Sequence, residues 1–171
     1  MNLQANDFEL FGLTQRFLQD PDEIDACWKL LQKEAHPDKF AAQGAAAQRV
    51  AMQWSARINE AYRRLKDPVM RAAYLCEING VGVDAHTNTK MPADFLLLQM
   101  QWREDLDDVC DAQGLEGLQS TVMAFRQKIL SQFEDLLDGQ HDYAHGVMAV
   151  RELMFVNKFL RDLEPHFDRL T

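Results

Sequence analysis

The sequence predicts an all-α protein, and two observations lead to that fold class. Apolar residues recur at spacings of three and four along almost the whole chain, which is the period of helices that pack on one side. No stretch alternates with period two for long enough to predict a strand. Hydrophobic residues make up 47% of the 171 residues and charged residues 26%, a balance typical of a globular protein with a packed core.

The first predicted elements are a short apolar segment ending near Gly12 and an amphipathic helix. Asp20 and Pro21 mark the start of that helix, since aspartate caps helix N-termini and proline suits the first helical position. Pro37 ends it, because the residue before a proline is disfavoured in α geometry. The face opposite the apolar stripe holds charged residues four apart: Asp25, Lys29 and Lys33.

After a loop of small residues, two more helices complete the first half. The first is long and antiparallel to its predecessor, with apolar residues Ala47, Val50, Ala51, Trp54, Ile58, Ala61, Tyr62 and Leu65. Asp67 and Pro68 repeat the cap signature and open a short helix that ends near Gly80. Residues 80–90 hold two glycines and a polar run without apolar period, so we expect a linker there.

The remaining residues, 91–171, predict a three-helix bundle, since short connections make consecutive amphipathic helices antiparallel. The helices are expected from about Pro92 to Ala112, Leu115 to Leu137, and Asp142 to about Leu163, with Gly114 and Gly139 at the breaks. Pro165 is expected to end or kink the last helix.

Charge and cysteine content narrow the class of protein. The formal net charge is −9, and 16 of the 27 acidic residues follow Ile78, against 8 of the 18 basic residues. The net negative charge argues against a nucleic-acid or membrane partner. The excess of acidic residues after Ile78 suggests two units with different partners. No apolar run reaches the roughly 20 residues of a membrane span, and no signal pattern opens the chain, so we expect a cytoplasmic protein. Cys27, Cys76 and Cys110 are far apart on apolar faces and are expected to be buried, reduced thiols.

The most informative residues are His36, Pro37 and Asp38, at the predicted tip between two antiparallel helices. Pro37 fixes a rigid turn, from which His36 and Asp38 project. Asp38 can accept a bidentate bond from a partner's arginine, and neighbouring basic residues can meet an acidic surface. These basic residues are Lys29, Lys33 and Lys39. A structural reading stays open, in which His36 and Asp38 only cap neighbouring helix ends.

The surroundings of this tripeptide resemble a J domain, the helical hairpin with which DnaJ-type co-chaperones trigger ATP hydrolysis in a DnaK- or HscA-class chaperone. The resemblance rests on Phe40, on the run Ile58-Asn59-Glu60-Ala61-Tyr62 and on the segment from Asp67 to Leu75. The opening run from Phe8 to Leu13 and the terminal bundle look like the HscB family of iron–sulfur cluster assembly. Ala35 stands where J domains usually have a tyrosine.

This resemblance implies an L-shaped protein with a J domain over residues 1–79, a linker over 80–90 and a client-binding bundle over 91–171. Its partners would be an HscA-class ATPase chaperone, bound by the tripeptide and the three lysines, and the IscU scaffold. It would aid the maturation of iron–sulfur proteins without a cofactor of its own. The alternative is a J-domain co-chaperone of a DnaK-class chaperone with a different client.

The first bundle helix carries more apolar residues than an inward stripe requires. The stripe is formed by Phe95, Leu98, Trp102, Leu106 and Val109. A second face runs from apolar into polar and acidic residues, which indicates a protein interface. It comprises Leu96, Leu97, Met100, Gln101, Glu104 and Asp108. The resemblance implies that this face, with Phe155 of the last helix, holds IscU, although Gln101 replaces a usually acidic residue. Alternatively, Leu96, Leu97 and Phe155 complete the bundle core or pack against the J domain.

The sequence gives only weak signals for a catalytic or metal-binding site. His141 and His145 have a spacing that can present two imidazoles to one metal, which leaves a metal-dependent helical enzyme as a third reading. No third ligand is evident, and capping or solvated histidines are the simpler interpretation. The acidic run from Glu104 to Asp111 lacks the spacing of a calcium loop, and no phosphate loop or nucleophile set is present. We therefore expect a protein that is not an enzyme and binds no metal.

Overall fold

The computed structural model describes residues 4–83 and 91–170, and within these ranges it is all-α, as predicted. The α-helices are α1 (Asp7–Phe11), α2 (Pro21–Glu34), α3 (Ala45–Lys66), α4 (Pro68–Ile78), α5 (Ala93–Asp108), α6 (Ala112–Phe133) and α7 (Tyr143–Leu170). A 3₁₀ helix, Pro37–Gln43, occupies the stretch expected to be a loop, and a π-helical segment, Glu134–Gly139, follows α6. None of the described helices is long and apolar enough to span a membrane.

The described residues divide into two compact units, which separate between Leu75 and Cys76, inside α4. The domain boundaries inferred from the sequence stay a prediction. Of the predicted linker, residues 84–90 lie outside the described residues.

In the first unit, α2 and α3 form the predicted antiparallel hairpin. The Asp20 side chain accepts a hydrogen bond from the Asp22 N–H at 2.9 Å, so local capping chemistry starts α2 as expected. Ile24, Ile58 and Leu65 are fully buried between the helices. The burial of these apolar side chains stabilises the hairpin.

A buried ion pair joins α1 to the rest of the first unit. The Asp7 carboxylate is completely buried and lies 2.6 Å from Arg57 Nη2 and 3.3 Å from Arg64 Nε, both of which belong to α3. The Asp7 N–H donates to the Tyr74 hydroxyl of α4 at 2.9 Å. Asp7 therefore connects three helices, because its carboxylate binds α3 and its backbone N–H binds α4.

In the second unit, α6 packs against both α5 and α7. The core contains Phe95, Trp102, Leu115, Leu118, Val122, Val156, Phe159 and Leu163. Of the stripe predicted on α5, Phe95 and Trp102 are buried, whereas the other three residues are partly buried against the same core.

The helix ends in the second unit differ from those predicted. The break after α5 lies at 109–111, because the Asp111 side chain accepts the Gly114 N–H at 2.8 Å and starts α6 at Ala112. Gly114 thus lies in the first turn of α6. The last helix continues through Pro165 to Leu170. Phe167 packs against the bundle core, and this contact holds the final turn in place beyond the proline.

All three cysteines are free thiols, as predicted, but only Cys76 is buried. Cys27 is partly buried, and Cys110 is exposed, because α5 ends at Asp108 and leaves Cys110 in the connection to α6. Burial raises the pKa of the Cys76 thiol to about 11.

Candidate functional site

The tripeptide lies where α2 ends and the 3₁₀ helix begins. Ala35 is the last residue to close a helical bond, from its N–H to the Leu31 carbonyl at 2.9 Å. His36 is extended (φ −63°, ψ 125°), and Pro37 takes the first 3₁₀ position, where its missing N–H costs nothing. The chain therefore turns sharply at His36.

The turn is closed by the motif's own side chains. His36 Nδ1 accepts a hydrogen bond from the Asp38 N–H at 3.3 Å and lies 3.6 Å from Asp38 Oδ2. Because Nδ1 accepts this bond, the neutral ring carries its proton on Nε2. His36 therefore does cap the 3₁₀ helix, as the structural reading expected. Capping nevertheless leaves the side chains of His36 and Asp38 57% and 90% exposed, so both remain available to a partner.

The three predicted lysines are exposed on this part of the unit. Lys29 and Lys33 lie on the outer face of α2, and Lys39 lies within the 3₁₀ helix. Asp25, predicted to share their face, instead contacts α3: its carboxylate lies 2.6 Å from Lys66 Nζ and accepts a bond from the Tyr62 hydroxyl at 3.0 Å. These two bonds hold the pKa of Asp25 below its usual value.

Polar contacts between α2 and α3 hold the hairpin beneath this tip. The Trp28 indole stacks on Tyr62, with ring centroids 4.9 Å apart, and its Nε1–H donates to Asn59 Oδ1 at 2.9 Å. Gln32 also donates to Asn59 Oδ1, at 2.8 Å, and accepts a bond from the Ser55 hydroxyl at 2.9 Å. Asn59 gives no signal of its own in the sequence, because its bridging role depends on the facing register of the two helices.

Ala35 is buried at the base of the tip and lines an open cavity of about 420 Å³. The remaining wall is mostly apolar, with Phe40 from the 3₁₀ helix and Val50 and Trp54 from α3. A small residue at position 35 thus leaves space directly beside the tripeptide.

The second predicted surface lies on α5. Leu96, Leu97 and Met100 are 45%, 65% and 59% exposed, so they do not complete the bundle core. Together with Gln101, Glu104 and Asp108 they fall within about 140° of helix arc, since successive residues differ by about 100°. The polar three are also exposed, and the Gln101 amide donates to Asp105 Oδ1 at 2.8 Å. We call these six residues and Phe155 the docking surface.

Phe155 is only partly exposed. Its ring meets Phe95 edge to face at 5.8 Å and stacks near Phe159 at 6.4 Å, while the Arg103 guanidinium lies 5.9 Å from the ring centroid. The side chain therefore fills part of the core and presents the remainder beside α5. The packing part of the core interpretation is therefore confirmed, whereas a role of Phe155 in holding IscU stays a prediction.

The two histidines considered as metal ligands have local partners instead. His141 Nδ1 lies 3.0 Å from the Leu137 carbonyl, and His145 Nδ1 lies 2.6 Å from Asp142 Oδ2. Within residues 4–83 and 91–170, no three His, Cys, Asp or Glu side chains form a group suited to a metal ion.

Known proteins similar to this chain are co-chaperones. The family model described as the HSCB C-terminal oligomerisation domain matches residues 91–164. The co-chaperone protein HscB homolog of Bordetella petrii is 45% identical over 157 residues, covering 91% of this chain and 92% of that protein. The homolog of Burkholderia multivorans is 39% identical over 173 residues, covering 99% and 98%.

Solved structures show the same fold. The chaperone HscB from Vibrio cholerae matches with a TM-score of 0.84 at 33% identity, covering 98% of this chain and 100% of that one. The human co-chaperone protein HscB matches with a TM-score of 0.90 over 97% of this chain and 84% of the human one. Its identity is 19%, so that match speaks for the fold alone.

Proposed function

This chain belongs to the HscB co-chaperone family, and we propose that it stimulates the ATPase of an HscA-class chaperone and delivers the IscU scaffold to it. In this role it acts in the cytoplasm and aids the maturation of iron–sulfur proteins. The chaperone's own catalytic centre hydrolyses the ATP, and this chain supplies binding surfaces. The observation that carries the proposal is the exposed, self-capped tripeptide at the end of a rigid hairpin.

The chaperone-binding half of the proposal rests on the chemistry of the tip. The Asp38 carboxylate is 90% exposed at the turn, which leaves both oxygens open to a bidentate bond from an arginine. Lys29, Lys33 and Lys39 add positive charge that would orient an acidic partner surface during encounter. Because the Trp28–Asn59 and Gln32–Asn59 bonds fix the hairpin beneath, little ordering entropy is lost when the tip binds.

The client-binding half rests on the docking surface. Three large apolar side chains lie exposed on one helix face and are followed by Glu104 and Asp108 about one to three turns later. Exposed apolar area of this kind is unfavourable in water unless a partner covers it. The acidic end would select a scaffold surface that presents both apolar and basic side chains.

The deciding experiment measures the ATPase rate of an HscA-class chaperone with this protein, with and without IscU. Synergistic stimulation is expected. Stimulation that IscU does not increase would retain the chaperone assignment and exclude this client, and stimulation of a DnaK-class chaperone alone would favour the alternative. No stimulation of either chaperone would refute the assignment of the tip.

Self-association is a competing use of the docking surface, since the family model matching residues 91–164 is described as an oligomerisation domain. Sedimentation of the protein alone and with IscU separates the two uses. A stable homo-oligomer that IscU fails to dissociate or bind would contradict the docking surface as a client site.

A further inference from the structure

A cavity of about 690 Å³ opens in the second unit between the end of α6, the π-helical segment and α7. Its apolar lining includes Pro92, Leu136 and Met148. Two carboxylates, Asp135 and Glu152, also line it. A long cationic side chain needs apolar contacts for its methylene stem and an anionic partner for its charged head. The lining of this cavity offers both.

Glu152 is a lining carboxylate without a charge partner among the residues that the structure describes. Among the described residues no hydrogen bond or ion pair reaches its carboxylate, although the side chain is half-buried. Desolvation by burial raises the pKa of Glu152. The other acidic and basic groups of the cavity are engaged: the Asp135 carboxylate accepts the Gln140 amide at 2.6 Å, and the His145 ring is bound to Asp142.

Two residues that line the cavity lie about one helical turn along the chain from residues of the docking surface. Pro92 precedes Leu96 by one turn, and its carbonyl accepts the Leu96 N–H at 3.1 Å. Glu152 precedes Phe155 by three residues on α7, a spacing that places both side chains on one side of the helix. A protein that covers Leu96 and Phe155 therefore reaches the mouth of the cavity with the same surface.

We propose that the cavity receives a lysine or arginine side chain of the client, with the carboxylate of Glu152 as its charge partner. The client is the scaffold of the proposed function, on which this inference rests. The methylene stem would lie along Met148 and Leu136, and the cationic head would complete the unpaired Glu152. This contact would favour clients that carry a basic side chain opposite the apolar end of the docking surface, in addition to any basic side chain that meets Glu104 and Asp108.

The test uses the full chain and IscU, with Glu152→Gln as the variant and Glu164→Gln as its matched control. Glu164 is an exposed carboxylate on the same helix that does not line the cavity. Calorimetric Kd values are measured at about 50 mM and about 200 mM salt, since screening separates a charge contact from packing. We expect Glu152→Gln to weaken binding about fivefold at low salt and less at high salt, whereas Glu164→Gln binds like the wild type.

The thermal unfolding midpoint is the folding control. Because burial disfavours the ionised form of Glu152 in the free protein, the neutral glutamine should unfold at the same temperature or higher. Affinity within twofold of wild type at both salt concentrations would refute the proposal. An equal loss at both concentrations, or an equal loss in Glu164→Gln, would also refute it. If wild-type protein fails to bind IscU at all, the proposed function falls as well, so the two failures are distinguishable.

Discussion

The exposed apolar end of the docking surface yields a quantitative prediction for the double variant Leu97→Ala, Met100→Ala. The two side chains are 65% and 59% exposed, so a client can cover about three-fifths of each. The substitutions remove about six heavy atoms, each contributing roughly 0.8 kcal/mol when fully buried. The binding free energy should therefore weaken by about 2–3 kcal/mol, which corresponds to a loss of affinity of about thirtyfold to about 140-fold.

The same variant should fold almost normally. Only about two-fifths of the removed surface is buried in the free protein, and alanine has a higher helix propensity than the residues it replaces. We therefore expect the free energy of unfolding to fall by about 1 kcal/mol, against the 2–5 kcal/mol typical for each truncated core residue.

Calorimetric titration with IscU and urea unfolding measure these two quantities. Met123→Ala, which removes a half-exposed methionine from α6, serves as the matched control and should leave IscU affinity unchanged. A double variant that binds IscU within threefold of the wild type would refute a client contact at Leu97 and Met100. A loss of stability above about 4 kcal/mol would show instead that Leu97 or Met100 belongs to the core.

Three further predictions concern the tip, the buried ion pair and the thiols. His36→Gln should abolish ATPase stimulation without changing the helical circular dichroism spectrum, because His36 is exposed and lies outside α2; normal stimulation by this variant would contradict the role of the tip. Asp7→Ala should lower the free energy of unfolding, measured by urea denaturation, by about 3 kcal/mol, because it leaves two arginines without their buried partner. A change below about 1 kcal/mol would argue against that contact. In native protein at pH 8, iodoacetamide should modify Cys110 and spare Cys76, whose buried thiol has a pKa of about 11; mass spectrometry of peptides would reveal the opposite order.

Elements set by local chemistry could be predicted from the sequence. The start of α2 depends on Asp20 and Pro21, which lie next to the residues they stabilise, so the sequence contains the whole interaction. The exposed position of Leu97 follows in the same way from helical period, since Phe95 and Trp102 already fill the inward side of α5.

Features set by distant contacts could not be predicted. Asp7 lies 50 residues from Arg57 and 67 residues from Tyr74, and no periodicity connects them. Pro165 has the local signature of a helix end, but the tertiary contact of Phe167 with the bundle core overrides it. Glu152 resembles any solvated glutamate in the sequence, because its place in the lining of the cavity depends on the packing of the π-helical segment against α7.

The proposed function requires both surfaces to be in one chain, and this requirement can be tested with full-length variants. A single chain that binds chaperone and scaffold raises the effective concentration of one partner beside the other. His36→Gln retains the docking surface, and Leu97→Ala, Met100→Ala retains the tip. In the presence of IscU, adding His36→Gln to the Leu97→Ala, Met100→Ala variant should not raise the chaperone's ATPase rate above the rate with the double variant alone. Recovery of the wild-type rate in the mixture would show that the two surfaces act independently, and delivery of the scaffold by one chain would then be wrong.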